Sequence, residues 1–232
     1  MITPSKLIQR FLALTIALVA TVFGSNAFAT SLTVDLVTCT TNGCGVDQNY
    51  GDRVVGTSDA TGTYGAEGGD TPNVVVDYVP SGGDNLTHWT TGYNELTNVL
   101  YNEQDFADSF EVSFTADVGF EVTLESLDIG NFGGAVSPTI SVEDENGLEL
   151  FSIVATLNAS GGDSVLVSPS VSAQTLTLIV NTTGLGNLSD NVGLDNIVFS
   201  QQVSPVPLPA AAWLFLSAFG ALVGIKRTAR KA

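Results

Sequence analysis

Between residues 30 and 206 there is no lysine and a single arginine, Arg53, set against all 24 aspartates and glutamates of the chain, a net charge of −23. A surface of that sign repels phosphate backbones, so nucleic acid is not an expected partner. The chain has one histidine, His88, and two cysteines, too few thiols and imidazoles for a zinc cluster. It lacks a G-x-S-x-G elbow and a phosphate-binding loop, and no recognisable nucleophile sits beside His88. With 24 acids, carboxylate pairs arise by chance, so they are no signal of glycoside hydrolysis. The expectation is a protein that is not an enzyme. Long helical periodicity and internal repeats are absent as well.

The remaining basic residues all lie at the two ends. Lys6 and Arg10 precede an apolar run from Phe11 to Phe23, followed by Ala27-Phe28-Ala29. This is the layout of a secretory signal over residues 1–29, with cleavage set by Ala27 and Ala29. Thirteen apolar residues make roughly 20 Å of helix, short of a hydrocarbon core of roughly 30 Å. At the other end, Val206, Pro207, Leu208 and Pro209 lie in a stretch that no regular helix tolerates. An uncharged run from Ala210 to Ile225 follows, then the basic cluster Lys226, Arg227, Arg230 and Lys231. Sixteen apolar residues with basic flanks are marginal but sufficient for a short transmembrane helix, its basic end retained in the cytoplasm.

What lies between, residues 30–203, is one acidic domain by length. It is rich in Val, Thr, Gly, Asn and Ser, and its apolar residues alternate with polar ones. Phe120, Val122 and Leu124 alternate with Glu121, Thr123 and Glu125. The phase slips before Leu127 and Ile129, which predicts a β-bulge near Glu125-Ser126. Ile140 and Val142, then Glu143 to Gly147, then Leu148 and Leu150 predict a hairpin with Asn146-Gly147 as positive-φ turn residues. Further strands are expected near 32–37, 73–79, 96–101, 109–115, 164–167, 173–180 and 193–200, with a short helix conceivable between Asp84 and Asp108. Many short strands separated by glycine-rich breaks indicate an all-β fold, a β-sandwich or jelly roll, flanked by an N-terminal signal helix and a C-terminal hydrophobic helix.

The tail V-P-L-P-A-A-A-W-L-F, its short apolar helix with Gly220 and Gly224, and its basic end resemble the PEP-CTERM sorting tail. Leu208 stands where the namesake motif carries glutamate; Val-Pro-Leu-Pro is a familiar variant. The resemblance implies export by the secretion machinery and transient anchoring in the inner membrane. An exosortase-type enzyme would then process the tail, placing the protein at the cell surface or in an extracellular matrix linked to exopolysaccharide. Within the domain, Asn49 to Val54, Phe114 to Phe120, Ser126 to Gly130 and Gly193 to Phe199 resemble β-sandwich domains of PEP-CTERM proteins. Those domains are similar to galactose-binding-like jelly rolls, an architecture shared by many carbohydrate-binding modules.

Three sets of candidate site residues follow. Cys39 and Cys44, separated by Thr-Thr-Asn-Gly, are expected to close a small disulfide loop in an oxidising compartment. Calcium is the candidate ion, since it takes carboxylate and carbonyl oxygens. The jelly-roll resemblance would draw it to Asp52 and Asp195, whose competing roles are an ion pair with Arg53 and a strand-end cap. Trp89 and Tyr93, in the stretch His88 to Tyr93, are candidates for stacking on a polysaccharide, with core packing as the competing role. Four N-x-S/T triplets, at Asn85, Asn158, Asn181 and Asn187, are read as coincidence in a bacterial-type export context.

Overall fold

The computed structural model describes residues 28–32, 43–56, 69–82, 85–158 and 165–204. Both predicted terminal helices, the sorting motif, the tail basic cluster, Ala27 and Cys39 lie outside the described residues. Among the described residues no helix is long and apolar enough to cross a membrane.

The described chain is all-β. In order, its strands are β1 (Phe28–Leu32), β2 (Cys44–Gly45), β3 (Val54–Gly56), β4 (Gly69–Thr71), β5 (Val74–Pro80), β6 (Thr87–Trp89), β7 (Val99–Tyr101) and β8 (Ser109–Ala116). They continue with β9 (Phe120–Asn131), β10 (Thr139–Asp144), β11 (Glu149–Val154), β12 (Val165–Val167), β13 (Val171–Ala173), β14 (Thr175–Asn181) and β15 (Val192–Val203). One turn of 3-10 helix, Gly186–Asn191, precedes β15. An eight-stranded sheet runs β12-β9-β15-β7-β6-β2, with β1 on β15 and β13 on β9; a five-stranded sheet runs β11-β10-β14-β8-β5. All the pairings between strands are antiparallel.

Alternation sets which face each strand buries. On β8, Phe110, Val112, Phe114 and Ala116 are buried while Ser109, Glu111, Ser113 and Thr115 point away. Leu176, Leu178 and Val180 on β14, and Val74, Val76 and Tyr78 on β5, continue the same inner face. From the opposite sheet come Val122, Leu124, Leu127 and Ile129 of β9 with Leu194, Ile197 and Phe199 of β15. The rings of Phe114 and Phe199 meet across the gap at 5.0 Å between centroids, which makes the fold a sandwich with one core.

The predicted bulge is present. Phe199 pairs with Leu124 and Val198 with Ser126, so Glu125 is the extra residue on β9. A second irregularity, between Asp195 and Val198 on β15, puts Asn196 at φ 49°. The hairpin of β10 and β11 also forms, but its only positive-φ residue is Gly147 (φ 74°). Asp144 organises that turn: its Oδ1 accepts the amides of Asn146 (2.8 Å) and Leu148 (2.9 Å), and both bonds hold its carboxyl below the usual range.

Two expectations need correcting. Described residues 85–108 hold β6, β7 and turns instead of a helix; left-handed Asn94 and Asn98 (φ 59° and 63°) break any helical run. The ion pair of Arg53 is made with Asp117, in a two-pronged contact of 2.7 and 2.9 Å, instead of with Asp52. Thr30, just past the predicted signal cleavage point, is buried with its hydroxyl 2.7 Å from that of Thr71.

Because Phe114 is fully buried against Phe199, Phe114→Ala is expected to cost about 3–5 kcal/mol in urea unfolding. Its neighbour Thr115, exposed on the outer face, should tolerate Ala within about 0.5 kcal/mol.

Candidate functional site

The outer face of the eight-stranded sheet carries the features that the core does not explain. Leu100 of β7 points into the sandwich core, whereas its neighbours Val99 and Tyr101 form a second apolar cluster with Tyr93 and Leu96. Register places Gly45, Thr87, Tyr101, Gly193 and Gly130 side by side on this face, one from each of five adjacent strands. The two glycines are a seat. A Cβ on Gly193 would lie 2.7 Å from Val99 Cγ2 and 2.8 Å from Tyr93 Cδ1, and one on Gly130 would lie 2.8 Å from the Tyr93 carbonyl oxygen. The loop between β6 and β7 folds down onto that seat.

Four rings close around it. Trp89 meets Tyr101 (5.9 Å) and Phe132 (5.8 Å) edge-on, and Tyr93 meets the same two at 6.0 and 5.8 Å. Tyr93 is 2% exposed and donates its hydroxyl to the Asp190 carbonyl at 2.9 Å. Burial pushes its phenol far above the ordinary range. Trp89 is half-buried, and Phe132 keeps 44% of its surface in solvent.

At the other end of the row, where Thr87 and Gly45 lie, the face opens into a polar cleft of about 490 Å³. Gly45, Gly82, Asn85, Thr87, Asn102, Glu103 and Gln104 line it. Buried Asn102 staples the wall: its amide donates to the carbonyls of Ser81 and Ser109 (both 3.3 Å), and its Oδ1 accepts the Gln104 amide (3.2 Å). Gln104 then begins a turn closed by the Ala107 amide on the Gln104 carbonyl (3.3 Å). Phe106 occupies the third position of that turn at φ 60°, a place that suits glycine. The strain is held from outside. Phe106 N–H donates to the Gly186 carbonyl, Ala107 N–H donates to Ser189 Oγ, and Thr182 Oγ1 donates to the Ala107 carbonyl at 2.7 Å. The result is an aromatic ring 72% exposed, displayed two residues from the cleft wall.

The electrostatics of this corner are negative. Asp190, on the 3-10 helix, has its carboxyl raised first by burial and then by the charges of Asp105 and Glu103. Its Oδ1 is buried without a hydrogen-bond partner among the described residues.

The residues singled out from the sequence distribute unevenly over this geometry. Trp89 lies on the cleft-bearing face, two residues from Thr87, roughly 7 Å along the strand. Tyr93 is packed beneath it, so the rings available to a ligand here are Trp89 in part, Phe132 and Phe106. Asp52 is tied to the five-stranded sheet, its Oδ1 accepting the Val76 amide at 2.7 Å. Burial raises its pKa, the Val76 bond opposes that, and the other charges acting on it are Asp77, Arg53 and Asp47. Asp195 lies on the outer face of the eight-stranded sheet, in register with Asp128, its Oδ1 accepting the Asn196 amide at 2.7 Å. Asp52, in the turn before β3, is thus held to the five-stranded sheet while Asp195 lies on the eight-stranded one, and among the described residues no three His, Cys, Asp or Glu gather as a metal cluster. Cys44 is disulfide-bonded. Sequence reasoning missed Asn85, Asn102, Glu103, Gln104 and Phe106; the signal available for Phe106 was an aromatic flanked by acids in a helix-poor stretch.

No known family profile matches the chain, and no curated protein matches it. Solved structures with some similarity include the galactose-bound family 32 carbohydrate-binding module of C. perfringens NanJ, at 11% identity and TM-score 0.32, covering 55% of this chain and 93% of the module. A fucose-bound family 29 fucosidase of Ruminococcus gnavus is 17% identical with TM-score 0.32, covering 57% of this chain and 26% of the fucosidase. Latent PorU of Porphyromonas gingivalis is 18% identical with TM-score 0.33, covering 56% of this chain and 13% of PorU. Likenesses of this size carry neither ligand nor activity to this chain.

Since a methyl on Gly193 would collide with both Val99 and Tyr93, Gly193→Ala is expected to destabilise by about 1–3 kcal/mol. Near-ultraviolet circular dichroism should report the loosened aromatic ring cluster.

Proposed function

We propose that this chain is an exported, non-catalytic surface or matrix protein whose β-sandwich binds polysaccharide through the cleft beside β6 and β7. The observation that carries the reading is a polar cleft, with an exposed aromatic two residues along the chain from its wall. Asn85, Gln104 and Thr87 supply amide and hydroxyl groups that can both donate to and accept from sugar hydroxyls, and Glu103 supplies a strong acceptor. Phe106 supplies an apolar face for the C–H side of a sugar ring. A left-handed backbone at an exposed aromatic is a strained feature that a binding role suits.

Glycoside hydrolysis is the competing reading. It asks for two carboxyl groups facing one another across the cleft. Of the described residues that line it, Glu103 alone is acidic, which favours binding.

Export and sorting belong to the same proposal and rest on the two ends of the sequence. The signal layout at Lys6 to Ala29 and the PEP-CTERM-like tail from Val206 to Lys231 support secretion, transient membrane anchoring and release by an exosortase-type enzyme.

Phe106→Gly separates binding from folding. It removes the stacking ring and relieves a left-handed conformation that costs about 1 kcal/mol. On a glycan array the full-length chain should retain a subset of polysaccharides, and the variant should bind them about tenfold more weakly with no fall in its unfolding midpoint. Unchanged binding would remove Phe106 from the site, and a chain that retains no glycan would sink the reading. For sorting, mass spectrometry of cell fractions should find the extracellular form without its tail. A full-length, tail-bearing product there would contradict processing.

A further inference from the structure

The lining of the cleft also says which sugars suit it. We infer that the cleft selects a glycan unit bearing a protonated amine, a de-N-acetylated hexosamine, with Glu103 as its counter-charge. This rests on the polysaccharide-binding reading and narrows it to a chemical class.

Glu103 is the only charged group among the described lining residues. Its Oε1 lies beside Gly43, where an added Cβ would start 3.7 Å away. Among the described residues the only guanidinium or ammonium is that of Arg53, and it is engaged by both oxygens of Asp117. Nothing cationic therefore offsets Glu103 from within the described fold.

The surroundings reinforce the sign. Asp105 follows in the same loop, and Asp190 approaches from the 3-10 helix packed against that loop through Ser189 and Gln104 (3.2 Å). Burial first, then the charge of Asp105 and, last, that of Glu103 raise the Asp190 carboxyl. A uronate, sulfate or phosphate entering the cleft would meet that repulsion without a cation to offset it. An ammonium would meet one direct acceptor and two supporting charges, while Asn85, Gln104 and Thr87 remain for the sugar hydroxyls.

A small ligand avoids the general attraction of polycations to an acidic protein. Three disaccharides would be titrated calorimetrically into the full-length chain at about pH 6, below the ~8 typical of such amines: diglucosamine, its N,N′-diacetyl form and a diuronate. Diglucosamine should bind about tenfold more tightly than the diacetyl form, the diuronate should be weakest, and added salt should shrink the gap. Glu103→Gln, a near-isosteric change at an exposed site, should abolish the preference for diglucosamine over the diacetyl form. Glu111→Gln, on the outer face of the other sheet, should change neither. Equal or tighter binding of the diacetyl form, or indifference to Glu103→Gln, overturns the amine selection and leaves polysaccharide binding standing. Absence of binding by all three sugars, together with an empty glycan array, overturns both.

Discussion

The pairing of β9 with β15 is the constraint on which the rest of the molecule depends. Each strand is twelve residues long, and their register runs from Phe120 opposite Val203 to Asn131 opposite Val192. Every other strand of the larger sheet attaches to this pair directly or through β7 and β6. A two-residue period over that length commits one face to Val122, Leu124, Leu127, Ile129, Leu194 and Phe199 and the other to Gly130 and Gly193. The two bulges sit on opposite strands and compensate one another. Glu125 adds a residue to β9, the Asn196 region adds one to β15, and the inward phase survives on both sides. Without that compensation Phe199 would not reach Phe114.

The same pair explains why an aromatic loop can lie on an outer sheet face. Side chains at positions 130 and 193 would hold the loop away, because the Tyr93 backbone and ring occupy the space of their Cβ atoms. The absent side chains convert a strand face into a socket. The socket fixes Tyr93, Tyr93 and Phe132 fix Trp89, and Tyr101 links that cluster to Thr87 at the cleft. Rigidity thus passes by direct contact from the core pair to the proposed binding surface.

Charge is the second organising force. A domain with one cation cannot neutralise its acids by pairing, and it uses backbone amides instead. Asp52 accepts from Val76, Asp144 from Asn146 and Leu148, and Asp195 from Asn196. Such bonds stabilise a carboxylate without a partner charge. They also leave the overall field strongly negative, which repels anionic polymers at a distance and favours cationic or neutral ones.

What the sequence determined by itself was whatever is periodic or local. The strands β5, β8, β9, β10, β11, β14 and β15 were legible because alternation shows directly which residues a sheet buries. The slip at Glu125-Ser126 and the turn at Gly147 were legible because a phase change and a left-handed glycine are local events. Only the tertiary structure decided the short strands β2, β3, β4 and β6, which are too brief to show a period and exist by pairing with distant partners. It alone decided that Trp89 stays partly open while Tyr93 is buried, since both lie in one aromatic stretch and a pair of glycines far along the chain separates their fates. And it alone decided the cleft, whose walls come from three separated segments; the strain at Phe106 is set by bonds to residues 182–189, and no local preference of Asp105-Phe106-Ala107 foretells it.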